Sequence, residues 1–347
     1  MMDMNERLLK ESEFYSSPFN FSYTSLNKLL YAPAIFYKEY VLGIKEVKTD
    51  AHLVEGKLIH YLMLDNGLFS DNYIVASGNL PSDNIKTVVD VVYEVMDKSE
   101  NLPLSNYSDV ILITLKQINL YQKFVDDKKP DKDGIQKTAD EKRLEKVLVK
   151  EAIEYFDFLK VKGNKDIIDQ ATLDKCSQAV EILRSNPKVR ELLALDEIHD
   201  GKTIGIYNEL PIEGSLEDFP FGIKGIIDNM VVDVDNKTVT INDLKTSNKT
   251  LNEFEESVDY WKYWIQAAIY KKLALILLRD IVDTSWQIKF NFIVIDKYNQ
   301  VYAFPVSQSS LDEWSSELNE ILLEAKWHYE NQDYTLPRKF LSGEVSL

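Results

Sequence analysis

The feature that most constrains how this chain can fold is a change of hydrophobic period near residue 201. Before it, the spacing is helical. Ser25–Tyr40 carries Leu26, Leu29, Leu30 and Phe36 at helical intervals with an interruption at Pro33, and Glu55–Leu64, Asp83–Lys98, Ser108–Phe124, Ala139–Leu159 and Ala171–Leu195 continue in the same way. After it, Thr203–Leu210, Phe221–Val232 and Thr238–Leu244 are rich in β-branched and aromatic residues with turn residues between them, which predicts strands. Leu251–Leu278 returns to a helical pattern, Trp286–Ile295 and Gln300–Val306 predict a hairpin about Asp296–Asn299, and Leu311–Tyr329 predicts a last helix. A helical half leading into a small sheet, with a long helix inserted among its strands, predicts an α/β (α+β) core rather than two independent domains. The expected division of this single 1–347 domain is a mainly helical part over 20–200, a sheet-bearing core over 201–310, and a C-terminal helix and tail over 311–347. Asp126–Gly134, which combines charge, Pro and Gly, predicts an exposed loop.

Composition narrows the function classes. With 347 residues and 45% hydrophobic content there is ample material for a core. No apolar run approaches the ~18 residues that would suggest a membrane span, and Met1–Ser17 is too polar for a signal peptide. The single cysteine, Cys176, excludes an internal disulfide and any cysteine-ligated zinc or iron–sulfur centre, so a reducing cytoplasm is the expected compartment. The net charge of −17 argues against broad attraction to nucleic acid, yet is compatible with a local basic groove or with carboxylates offset by bound metal.

Chemistry concentrates in one predicted hairpin. Asp228 stands in the apolar run Gly225–Val234, Asp235-Asn236 is a favoured turn pair, and Thr238–Lys245 forms the returning strand. Pairing Val234 with Lys237 sets Asp228 opposite Asp243, and alternation puts Lys245 on the face of Asp243. Facing carboxylates repel unless protonated or metal-bound, and hard oxygen ligands suit Mg²⁺ or Mn²⁺. A solvated surface hairpin is the plain alternative, but Asp243 lies well inside its strand, where Asp is disfavoured. On the following helix, Gln266 and Tyr270 share a face at i and i+4, close after Tyr260, Trp261, Tyr263 and Trp264.

Asp228, Asp243-Leu-Lys245 and Gln266-Ala-Ala-Ile-Tyr270, in that order, resemble the PD-(D/E)xK nuclease superfamily, and more narrowly its RecB-like branch with lambda exonuclease and the exonuclease VIII group. The Gly56-Lys-Leu-Ile-His60 stretch is similar to the Gly-x-x-x-His helix of that branch, and Phe21–Phe36 to its leading helical segment. Two departures stand out: Ile227 precedes Asp228 where Pro is common, and Asp243 stands where Glu is frequent. The resemblance implies a restriction-endonuclease-like core with a small mixed central sheet flanked by helices and a helical N-terminal elaboration. It implies Mg²⁺ or Mn²⁺, two ions, held by His60, Asp228, Asp243 and the Leu244 carbonyl. Lys245 would position the attacking water, Gln266 and Tyr270 would contact the DNA end or orient the active-site groups, and Glu209 is a candidate further acid. Ala32 stands before Pro33 where some relatives carry a cluster-binding cysteine, so no iron–sulfur cluster is expected. The implied activity is hydrolysis from the ends of linear duplex DNA in phage-type recombination or repair. DNA, a single-strand annealing protein and further copies of the chain are the implied partners, with no membrane. An endonuclease of the same superfamily, a catalytically inactive DNA-binding module of that fold, and a phosphoesterase for small substrates are the alternatives.

Overall fold

The computed structural model describes residues 20–44, 51–75, 80–96, 101–124, 137–200 and 202–343. The loop expected at Asp126–Gly134 and the Met1–Ser17 segment lie outside the described residues. Two compact units are present: residues 1–66 with 177–347, and residues 67–176.

The first unit is built on a six-stranded mixed sheet. Its strands are β1 (Asn20–Phe21), β4 (Ile204–Ser215), β5 (Gly222–Asp233), β6 (Thr238–Ser247), β7 (Gln287–Asp296) and β8 (Val301–Val306), ordered β1-β5-β6-β7-β8 with β4 also on β5. The β4–β5, β5–β6 and β7–β8 pairs are antiparallel, while β6–β7 and β1–β5 are parallel. A parallel neighbour requires a crossover, and the chain supplies it between β6 and β7 with α11 (Phe254–Trp261) and α12 (Tyr263–Leu277). The mixed sheet flanked by helices agrees with the α/β reading. The Leu251–Leu278 stretch is not one helix, however. Lys262 takes a left-handed conformation (φ 56°) that ends α11 and starts α12.

Helices before the sheet are shaped by local signals. Ser22 caps α1 (Tyr23–Tyr31) in a reciprocal capping box with Ser25. Pro33 stops that helix and opens the short α2 (Pro33–Phe36), continued by a wide turn over Tyr37–Val41. α3 (Ala51–Leu64) follows. The core of this unit joins Phe21, Leu26, Leu29 and Phe36 to Ile223, Ile227, Met230, Ile241, Phe290 and Phe292 and to the inner faces of α12 and the long C-terminal helix Gln308–Asn331. The sequence alternation on β7 explains the sheet's share: Phe290, Phe292 and Val294 lie on one face and are buried.

The second unit is helical. After α4 (Asn66–Asn72), α5 (Asp83–Val95), α6 (Ser108–Gln117), α7 (Ala139–Val147) and α8 (Lys150–Val161) surround Val88, Val92, Ile111, Leu115, Val147 and Phe156, with a short parallel pair, β2 (Tyr73–Val75) and β3 (Asp166–Ile168). The expected long helix over Ala139–Leu159 is two helices, with Val149 in extended conformation between them. Ala171–Leu195, most of which belongs to the first unit, divides likewise into α9 (Gln170–Ser185) and α10 (Pro187–Leu192), because Asn186-Pro187 is both a cap and a helix start.

Candidate metal centre

The site begins where β5 and β6 separate. Their ladder runs from Asp233–Thr238 to Asn229–Asn242, and the next couple in register is Asp228 with Asp243. The turn spans four residues, 234–237, rather than two, which preserves the expected register. Beyond Asn242, β6 continues alone along β7. Asp228 bridges the diverging strands: its Oδ2 accepts the Leu244 N–H at 2.7 Å. The Leu244 carbonyl is the expected metal ligand; the hydrogen bond to Asp228 uses the N–H of the same residue.

On the other side of β5, the β4 ladder pairs Asn208 with Asn229 and Leu210 with Ile227 and steps over Glu209 and Asp228. Glu209 has a φ of 45°, an uncommon conformation for a non-glycine residue in a strand. The strands change parity here. Gly225 faces α12, where an added Cβ would meet Tyr270 at 2.7 Å, and Ile223 and Ile227 follow its parity. Met230 and Val232 enter the same apolar cluster on even numbers. Such irregularities re-aim side chains, and this one brings Glu209 to Asp228.

His60 arrives from α3. Gly56 lets that helix close on β6, since an added Cβ would stand 3.1 Å from Thr246 Oγ1. One turn later, His60 Nδ1 lies 3.5 Å from Glu209 Oε1 and 3.6 Å from Asp228 Oδ2. One donor atom from each of these three residues lies within 4.8 Å of the others. Burial by itself lowers the His60 pKa, but the Asp228 and Glu209 carboxylates outweigh it and raise it to about 9. Asp228 is raised above the usual carboxylate range, by burial first, against the pull of His60 and Lys245.

Asp243 is fully buried. Lys245 Nζ lies 2.6 Å from its Oδ2, but among the described residues neither carboxylate oxygen receives a donor in hydrogen-bond geometry. Burial raises its pKa to about 6, with Lys245 pulling down and Asp228 pushing up. Burial lowers the Lys245 pKa, but the two aspartates reverse that and hold the ammonium form. Lys245 also donates to Gln266 Oε1 at 2.9 Å and sits over the Tyr263 ring, 4.8 Å from its centroid. Gln266 Nε2 donates to Tyr270 Oη at 2.9 Å. The i, i+4 spacing on α12 thus joins Lys245, Gln266 and Tyr270 in one line. Tyr263, one of the aromatic residues ahead of Gln266, forms the floor beneath Lys245.

The donor set suits a hard divalent cation. It offers carboxylate oxygens with an imidazole, and among the described residues Glu209 Oε1 and both Asp243 oxygens are buried without hydrogen-bond donors. Other histidines serve elsewhere. His199 Nδ1 accepts the Ile206 N–H, and His328 is buried with Nδ1 at the Asp333 carbonyl. Cys176 is buried on its helix.

No protein-family model matches the chain, and no curated protein matches it in sequence. Among solved structures it is similar to a crystal structure from Eubacterium rectale that is described, provisionally, as an exonuclease. Identity is 13%, the match covers 90% of this chain and 85% of that chain, and the TM-score is 0.43. A likeness this distant carries no inference about chemistry, which rests on the residues themselves.

Proposed function

We propose that this protein is a divalent-metal-dependent DNA nuclease of the PD-(D/E)xK type, with a restriction-endonuclease-like core. The supporting observation is the convergence of His60, Glu209 and Asp228 within 4.8 Å, with the Asp243–Lys245 ion pair beside them. In this reading His60, Asp228 and Asp243 hold Mg²⁺ or Mn²⁺, with Glu209 as a further acidic ligand. A cation bound there supplies positive charge that polarises the scissile phosphate and steadies the departing oxygen. Lys245, kept as an ammonium by its two aspartates, donates from Nζ to orient the attacking water. Gln266 fixes the Lys245 amine through its Oε1, and Tyr270 fixes Gln266, so the donor keeps its aim without solvent reorganisation. Action from the ends of linear duplex DNA, in phage-type recombination or repair, is the finer form of the proposal.

Digestion of end-labelled linear duplex with Mg²⁺, beside EDTA and an Asp243→Ala variant, tests it. Cleavage is expected only in the untreated wild type, and cleavage that survives both controls refutes the reading. Equal attack on closed circular DNA would retain the nuclease and discard the end preference.

A further inference from the structure

One row away from the carboxylates, four asparagines cross the sheet in register: Asn208 on β4, Asn229 on β5, Asn242 on β6 and Asn291 on β7. Their amides form a single donor chain. Asn291 Nδ2 donates to Asn242 Oδ1 at 2.9 Å, Asn242 Nδ2 to Asn229 Oδ1 at 2.8 Å, and Asn229 Nδ2 to Asn208 Oδ1 at 2.8 Å. Asn208 Nδ2 then donates to the Leu64 carbonyl at 3.1 Å, and Asn242 Nδ2 also reaches the Leu192 carbonyl at 2.8 Å. Two of these acceptors are carbonyls at helix C-termini, which lack an intrahelical partner. Carbonyls accept only, so they fix which way the Asn208 and Asn242 amides face, and the rest of the chain follows.

Burial makes this row expensive to disturb. Asn229 and Asn242 are each 1% exposed, and Asn291 is 7% exposed. A buried amide that loses its partner keeps the full cost of its desolvation, so the row holds as a unit or fails as one. Its placement is specific. Asn208 adjoins Glu209, Asn229 adjoins Asp228, and Asn242 adjoins Asp243. The Asn229–Asn242 rung is the last before β5 and β6 diverge. Leu64, which receives the end of the chain, lies one helical turn beyond His60 on α3. His60, Glu209, Asp228 and Asp243 are thus each next to, or one turn from, a member or acceptor of the same row.

From this geometry we infer that Asn208, Asn229, Asn242 and Asn291 are positioning residues, an amide clamp that fixes the point at which the strands open and so the separation of Glu209, Asp228, Asp243 and His60. The clamp sets where the ladder stops. Without its last rung the strands diverge a couple sooner, and the Leu244 N–H loses its hold on Asp228. What the carboxylates are positioned for rests on the metal-site reading; the clamp itself does not.

Two measurements on the full chain separate these. In the first, amide hydrogen exchange is followed in metal-free wild type, Asn229→Leu and Asn242→Leu. The Leu244 amide is expected to exchange at least ~10-fold faster in both variants while Val239 and Ile241, deeper in the ladder, keep their protection. Uniform acceleration along β6, or none at Leu244, overturns the proposal, since packing alone predicts either. Asn208→Ala serves if the buried variants do not fold, because Asn208 is exposed; it should speed Leu244 exchange several-fold, and an unchanged rate is a refutation. In the second, Mn²⁺ titration below the unfolding range should show affinity weakened about 10–100-fold in Asn229→Leu and Asn242→Leu, the usual effect of losing a group that orients a ligand. Wild-type affinity in both variants also overturns the clamp. If the wild type takes up no Mn²⁺, the nuclease reading falls, and the exchange data decide the clamp alone.

Discussion

Two buried aspartates of the central sheet have opposite surroundings. Asp296, at the end of β7, accepts from the N–H groups of Tyr298 and Gln300 at 2.9 Å, from the Leu251 N–H at 3.4 Å and from the Gln300 side chain at 3.3 Å. It closes a turn and pins the start of the crossover. Asp243 is more deeply buried and, among the described residues, has no donor in hydrogen-bond geometry; the Lys245 ammonium lies 2.6 Å from its Oδ2. A carboxylate with its acceptors filled is a structural joint. One buried with its acceptors open raises the energy of the fold and is kept for what it does.

The largest expected effect separates the two directly. Asp243→Asn should lower DNA hydrolysis by at least ~100-fold, since even groups that merely orient a ligand are worth about 10–100-fold in metal affinity or activity. The same change should leave the melting temperature equal or higher, because it removes a buried charge. A large drop in melting temperature would place Asp243 with Asp296.

Next comes pH. Asp243 is raised from 3.8 to about 6 and His60 from 6.5 to about 9, so both groups favour the folded state in their protonated forms. Their stabilisation is full at low pH and is lost as pH rises, through about 6 for Asp243 and about 9 for His60. For Asp243 the loss accumulates between the ordinary carboxylate range and about pH 6. Urea midpoints of the metal-free protein from pH 4 to 8 should fall, and Asp243→Asn should flatten the fall below about pH 6 while leaving the His60 part above it. Mn²⁺ affinity should move the other way, tightening with pH as the ligands release protons. Calorimetry in buffers of different ionisation enthalpy measures that release, and a flat profile would dissociate these groups from metal.

Asp296→Ala should destabilise by about 2 kcal/mol, because it strands several backbone N–H groups. Activity per folded molecule should not change. The smallest effect is expected from Gly56→Ala. Its new methyl would stand 3.1 Å from Thr246 Oγ1, pushing α3 and His60 outward by a few tenths of an ångström. A few-fold loss in hydrolysis is expected, given that a ~1 Å misplacement can cost about 100-fold. Stability of the Asp296 turn, read from hydrogen exchange at Tyr298 and Gln300, should be untouched.

Much of this was legible in the sequence because period-2 alternation and a short turn fix register. Asp228 opposite Asp243, with Lys245 beyond, follows from counting. So does the shared face of Gln266 and Tyr270. Glu209 was visible only as an acid on a strand, since nothing in its neighbours announces a positive φ. The break at Lys262 was hidden for the same reason: a lysine carries no glycine-like signal for a left-handed cap. The asparagine row was missed because its members are scattered from 208 to 291 and meet only through pairing. A faint signal existed, in that Asn208-Glu209, Asp228-Asn229 and Asn242-Asp243 each set an amide beside an acid in a strand, where both residue types are disfavoured. The splits at Val149 and Asn186-Pro187 were readable in principle, the second from its proline.

The left-handed backbone of Glu209 makes that position a point of conflict. Glycine would relax it, as it does wherever φ is positive, and would remove the acid. Selection for robustness alone would therefore favour Gly at 209, and selection for the proposed metal site would favour Glu. A Glu209→Gly protein that unfolds at higher temperature while losing turnover would register the two demands as opposite signs at a single residue.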